Sequence, residues 1–175
     1  MVIGCAQVAG LDKTTCRDAG IDGKLDARRD AAVDARVCTG GDARIVDEMT
    51  GTCYALFTTP LPRNEARAMC LTLGSGTVLA SVQSANENQL ITGLLGTNVA
   101  FLGGTDEVTE GMFTWEDGSA VVLTNWNAME PNNGLGMYEE DCIVISGANA
   151  GKWDDRPCAP GAAIAGAYAF VCERN

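Results

Sequence analysis

Glu130-Pro131-Asn132-Asn133, Glu139-Glu140-Asp141-Cys142 and Trp153-Asp154-Asp155 stand within 26 residues of one another, in a chain of 175 residues that has no histidine. Carboxylates and amides without imidazole or free thiolate suit a hard cation, and Ca²⁺ above others. Pro131 between two potential ligands implies a rigid turn, trans or cis, that aims Glu130 and Asn132 the same way. Any one of these runs alone reads as a solvated acidic loop. The three together, with cysteines placed among and beyond them, point to a metal site.

These runs resemble the carbohydrate-recognition domain of C-type lectins, in the mannose type found in the mannose-binding collectins. The pattern of that family is Glu-Pro-Asn, then Glu-Asp-Cys, then Trp-Asn-Asp. Here it reads Glu130-Pro131-Asn132, Glu140-Asp141-Cys142 and Trp153-Asp154-Asp155. Upstream, Phe101-Leu102-Gly103-Gly104-Thr105-Asp106-Glu107-Val108-Thr109-Glu110-Gly111 is similar to the second-strand and loop segment of the same family. The resemblance runs from about residue 38 to residue 175, with motifs and cysteines in the family's order. One position departs from it: the Asn of the last motif is Asp154.

The resemblance implies an α+β, C-type lectin-like fold: two helices, small antiparallel sheets and a long calcium-binding loop region, stapled by disulfides. It implies a principal Ca²⁺ held by Glu130, Asn132, Glu140, Asp154 and Asp155, which would also meet two neighbouring sugar hydroxyls. It implies a second Ca²⁺ at Asp106, Glu110, Asn133 and Asp141. Glu-Pro-Asn implies a vicinal equatorial diol, as in mannose, glucose and N-acetylglucosamine, with an equivalent pair in fucose. Asp154 qualifies that expectation, because an ionised Asp only accepts hydrogen bonds where an Asn would also donate. Tighter calcium and weaker or altered sugar binding follow from it.

Outside the loop, composition supports the same picture. The formal charge is −11. Residues 1–37 hold six acids and six bases, so the rest of the chain carries all of it. Residues 106–155 hold eleven acids against one base, Lys152. So much like charge in one region repels itself unless cations neutralise it, and it argues against nucleic acid as a partner. The eight cysteines, without Cys-x-x-Cys spacing, read as disulfides in an oxidising compartment; zinc is the poorer reading of the same thiols. The lectin resemblance implies Cys38–Cys53, Cys70–Cys172 and Cys142–Cys158, which leaves Cys5 and Cys16 to each other.

The expected location is secreted or on the cell surface. No apolar run is long enough to cross a membrane and no complete signal peptide is visible. Val2-Ile3-Gly4-Cys5 is similar to the end of a bacterial lipoprotein signal, an acylated alternative to the Cys5–Cys16 bridge. No Asn-x-Ser/Thr acceptor occurs.

Two domains are expected: an N-terminal Cys5/Cys16 loop and Asp/Ala-rich stalk over 1–37, then the lectin-like domain over 38–175. In the stalk Asp18, Asp22, Asp26, Asp30 and Asp34 recur every four residues, a rhythm that drifts from the helical 3.6 and sets like charges at i, i+4. It lacks the heptads of a coiled coil, and oligomerisation through it is an open alternative. Within the main domain, the patterns predict a strand over 53–58 and a helix from Pro62 to about Leu73, stopped by Gly74. Ser84 and Glu87 form a capping box for a second helix whose apolar face is Leu90, Ile91, Leu94 and Leu95. Strands are predicted at 100–105, 142–146, 152–154 and 167–172, the last apolar enough to be central. Residues 106–141 read as a long functional loop. Trp115, Trp126 and Trp153 are expected to pack that loop on the sheet, rather than to stack on sugar.

Two functions are therefore expected from different classes. One is calcium-dependent binding of glycans, free or on a cell surface. The other is a secreted adhesion or structural domain of the same fold, in which Ca²⁺ only orders the loops and the partner is protein. An enzyme is excluded for Ser/Cys–His chemistry by the absence of histidine.

Overall fold

The computed structural model describes residues 38–159 and 166–175. The expected stalk, the Cys5–Cys16 bridge and the lipoprotein alternative lie outside the described residues. Strand β1 (Ala43–Val46) and β2 (Cys53–Leu61) form a hairpin, followed by helix α1 (Arg63–Thr72), β3 (Val78–Leu79) and helix α2 (Ala85–Leu95). Then come β4 (Val99–Thr105), the long loop with a short 3₁₀ turn at Asn133–Gly136, β5 (Cys142–Ser146), β6 (Lys152–Arg156) and β7 (Tyr168–Arg174).

The strands form one seven-stranded sheet, in the order β1-β2-β7-β4-β5-β6 with β3 beside β7. The expected α+β fold of two helices with antiparallel strand pairs is thus present, its strands joined in one sheet. The last strand returns to the middle, antiparallel to β2 and parallel to β4 through Ala100↔Ala169 and Phe101↔Phe170. β1 and β3 were not predicted; they are short, and each owes its place to a partner strand. The other differences are at boundaries: β2 runs on to Leu61, β6 to Arg156 and β7 to Arg174.

The period-two alternation of the central strands supplies two cores. Leu102, Ile143, Ile145 and Val171 face one side with Ile91 and Leu95 of α2, joined by Tyr54, Trp115 and Trp153. Phe101, Val144, Phe170 and Cys172 face the other with Ala66 and Cys70 of α1. The capping box is present: Ser84 Oγ accepts from Glu87 N–H at 3.2 Å, and Glu87 Oε2 accepts from Ser84 N–H at 2.9 Å. The bridges are Cys38–Cys53, Cys70–Cys172 and Cys142–Cys158, the three pairs that the resemblance implies. Cys70–Cys172 ties α1 to the central strand, and Cys142–Cys158 closes the β5–β6 pair.

Trp153 decides where the loop sits. It is fully buried on β6, and Trp115 and Trp126 meet it edge-on with ring centroids at 5.8 and 5.7 Å. All three tryptophans thus pack loop against sheet. The Trp153 backbone pairs with the loop as well: its N–H donates to the Asn125 carbonyl at 2.9 Å, and its carbonyl accepts from Asn127 N–H at 2.8 Å. Its indole N–H donates to Asn88 Oδ1 of α2 at 2.8 Å, and Asn88 Nδ2 donates to the Gly151 carbonyl at 3.3 Å. Asn88→Ala strands a buried indole N–H, and is expected to destabilise the fold by about 1–3 kcal/mol with an unchanged denaturant slope in urea unfolding.

Glu173 on β7 is a buried carboxyl that accepts from the backbone N–H and hydroxyl of Ser81 at 3.0 and 2.9 Å. Burial lifts its pKa from 4.5 to about 7, against the pull of those two hydrogen bonds. The folded state therefore holds this proton more tightly than the unfolded chain does. Stability falls as pH rises from the unfolded value to the folded one, about 4.5 to about 7. Glu173→Gln should flatten that part of the urea-unfolding pH profile relative to the parent; an identical profile would contradict the assignment.

Candidate metal centre

The pairing of Asn125–Asn127 with β6 sets Glu130-Pro131-Asn132 beside Asp154-Asp155. The Glu130–Pro131 bond is cis. Asp155 shares the inward face of β6 with Trp153 and is buried. Its carboxylate accepts from the backbone N–H of Asn132, at 3.1 and 3.0 Å to its two oxygens, and of Asn133 at 2.7 Å. The turn after Pro131 is thus wrapped around one side chain. Glu140, also buried, anchors the other end of the turn: its Oε2 accepts from Gly134 N–H at 2.7 Å. Gly134 has φ +57°, and a Cβ there would lie 2.6 Å from the Tyr138 ring, so this position requires glycine.

Glu130, Asp154 and Asp155 each present a carboxylate oxygen to a common point, all within 4.8 Å of one another. Asn132 lies against them, its amide donating to Glu130 Oε2. Glu140 Oε1 and Asp154 Oδ1 are buried without a hydrogen-bond partner. Four carboxylates, two of them with an unsatisfied buried oxygen, form a donor set that fits Ca²⁺.

The electrostatics agree. Burial pushes the carboxyls of Glu130, Glu140 and Asp154 above their ordinary range, and neighbouring Asp155 pushes each further. The counter-charge is Arg156, on the same face of β6 as Asp154. Its Nη2 lies 2.6 Å from Asp154 Oδ2 and its Nη1 3.5 Å from Glu140 Oε1. Sequence reasoning missed Arg156. The signal was there, since i and i+2 share a strand face.

The second predicted set is brought together in part. Glu110 and Asp141 come within reach of a common ion together with Glu139, which was not predicted. Asp106 and Glu110 line a cleft of about 250 Å³ that also reaches Asn132 and Asp155. Asp106 Oδ2 accepts from Gly111 N–H at 2.8 Å, while its Oδ1 is buried and unpartnered. Burial raises the carboxyls of Asp106 and Asp141. Asn133 is engaged otherwise: its side-chain oxygen accepts from Glu140 N–H at 2.7 Å and its amide donates to Glu139 at 3.1 Å. Glu107 and Asp141 also approach Cys158, but that sulfur is committed to its disulfide.

The chain is similar to known proteins in sequence and in fold. The family described as the lectin C-type domain matches residues 59–174. The lectin BRA-3 of Megabalanus rosa is 34% identical over 112 residues, covering 63% of this chain and 67% of its own. The alpha-N-acetylgalactosamine-specific lectin of Patiria pectinifera is 34% identical over 136 residues, covering 71% and 75%. Among solved structures, the C-type carbohydrate-recognition domain of cow CD23, in the presence of a GlcNAc2Man3 oligosaccharide, superposes with a TM-score of 0.64 at 27% identity, over 79% of this chain and 97% of that one. A calcium-independent type II antifreeze protein shares the fold at 22% identity and TM-score 0.63, over 79% of this chain and 95% of its own. With its family pattern, its sheet and helices and its three disulfides in agreement, the chain belongs to the C-type lectin domain family, whose matched relatives are lectins and not enzymes.

Proposed function

We propose that this domain binds sugars through Ca²⁺, with Glu130, Asn132, Glu140, Asp154 and Asp155 holding the ion and meeting the sugar. The observation that carries the reading is the convergence of Glu130, Asp154 and Asp155, with unpartnered buried oxygens on Asp154 and Glu140 beside them. When bound, Ca²⁺ supplies the field that a neutral hydroxyl oxygen needs to leave water. The chain's own residues do the rest. Carboxylates accept hydrogen bonds from the hydroxyls, the Asn132 amide lies against Glu130, and the turn around Asp155 holds them in place before the sugar arrives. Asp106, Glu110 and Asp141, with Glu139, would hold a second ion that offsets charge under the loop. The Glu130-Pro131-Asn132 motif favours the vicinal equatorial diols of mannose, fucose and N-acetylglucosamine. The three disulfides among the described residues fit secretion or a cell-surface location.

A second reading has its own observation. Asp154 is held by Arg156 at 2.6 Å, which favours an adhesion or structural domain in which loop carboxylates serve order alone. A glycan array read with Ca²⁺ and with EDTA separates the two. It should carry mannose, fucose and N-acetylglucosamine glycans, and also N-acetylgalactosamine, the sugar in the name of the Patiria relative. Calcium-dependent hits among the vicinal-diol sugars are expected. Retained Ca²⁺ binding with no glycan hit would overturn the sugar reading in favour of the second.

A further inference from the structure

The geometry points to Arg156 as a sugar-contacting, specificity-determining residue, whose guanidinium donates a hydrogen bond to the hydroxyl oxygen bound beside Asp154. This rests on the reading of the loop as a sugar site.

The argument begins with a shortage of donors. A hydroxyl seated among Glu130, Glu140, Asp154 and Asp155 can give its proton to a carboxylate, but ionised carboxylates return nothing. Its oxygen then needs a donor to complete its hydrogen bonding, and an unpaired polar group in such a site weakens binding. The Asn132 amide gives one of its two N–H groups to Glu130, which leaves a single donor for a second hydroxyl oxygen to share. The cationic side chain in contact with this carboxylate group is Arg156. It spans Asp154 and Glu140, with Nη2 at 2.6 Å from Asp154 Oδ2 and Nη1 at 3.5 Å from Glu140 Oε1.

Guanidinium carries five N–H groups in a fixed fork and accepts none, so these contacts leave donors to spare. The Arg156 side chain is 39% exposed while that of Glu140 is 2% exposed. The guanidinium thus stands at the open edge of a buried carboxylate. Arg156 and Asp154 also border a cleft of about 260 Å³ with Lys152, Asn127 and the Tyr168 ring. Asp154 belongs both to that cleft and to the carboxylate group, so the cleft offers room and polar partners for the next residue of a glycan.

The pair thus acts as one unit: Asp154 accepts, and Arg156, anchored by Asp154, donates. Arg156 is also a cation set against the same carboxylates as Ca²⁺, so its removal should leave calcium affinity unchanged or raise it. A structural salt bridge alone would predict no sugar-specific effect.

Calorimetry on the full chain tests this with two titrations each of the parent, Arg156→Met, Arg156→Lys and the double variant Asp154→Asn/Arg156→Met. Ca²⁺ is titrated first, then methyl α-mannoside at saturating Ca²⁺. Arg156→Met should bind Ca²⁺ at least as well as the parent and bind the mannoside roughly ten-fold more weakly, the loss expected for one hydrogen bond from a charged donor. Arg156→Lys, which keeps the charge and loses the fork, should fall between them. The double variant should recover much of the sugar affinity, because the new amide donates in place of the guanidinium; recovery in a pair of neighbours is the non-additivity that direct coupling requires. Mannoside binding by Arg156→Met equal to the parent's overturns the inference. Loss of both Ca²⁺ and mannoside also overturns it, since Arg156 would then act by holding the carboxylates in place. A parent that binds Ca²⁺ and no mannoside overturns the sugar reading itself, and is recognised before any variant is made.

Discussion

Like charges converge at the end of a buried strand. Glu130, Glu140, Asp154 and Asp155 belong to three segments of chain; the first and the last two reach a common point, and Glu140 joins them through Arg156, which touches it and Asp154 alike. Trp153 sits in the core between two other tryptophans, its backbone paired with Asn125 and Asn127. Asp154 and Asp155 follow it by covalent necessity. The loop cannot relax by swinging these side chains apart without giving up the Trp153 packing or the backbone N–H groups that Asp155 collects from Asn132 and Asn133. The repulsion is stored in place, and burial adds to it. Compensation has to come from cations.

Two kinds of cation meet that need. One is built in: Arg156, two residues past Asp154 on the same strand face, touches the two carboxylates that have an unpartnered buried oxygen. The other, in our reading, is calcium. A single guanidinium cannot balance four carboxylates, so it biases the site without completing it. The same logic extends beneath the loop, where Asp106, Glu110, Glu139 and Asp141 face one another.

Much of this was legible in the residue order because it is local. Ser84 and Glu87 make their capping box within four residues, and the carboxylates that converge stand in short runs, Glu130-Pro131-Asn132 and Asp154-Asp155. What escaped was non-local or one step beyond a motif. β1 and β3 exist through their partners, and the single sheet results from β7 returning between β2 and β4. Asn133, expected as a ligand, also ties the turn together, its amide bonded to Glu139 and Glu140. Glu139 adds a carboxylate to Glu110 and Asp141 that no motif marked. Arg156 lies just past Trp153-Asp154-Asp155, where a pattern of acidic ligands gives no reason to look for a base.

The central claim is that the loop's carboxylates are a cation site held under strain by the fold. Thermal unfolding of the metal-free protein at neutral pH, across increasing Ca²⁺ and against Mg²⁺ at equal concentration, tests it most directly. An ion that binds only the folded state raises stability with the logarithm of its concentration. The account predicts such a rise with Ca²⁺ and a much smaller one with Mg²⁺, which demands a tighter octahedral cage than these carboxylates offer. A melting temperature indifferent to Ca²⁺ up to millimolar concentrations would contradict it.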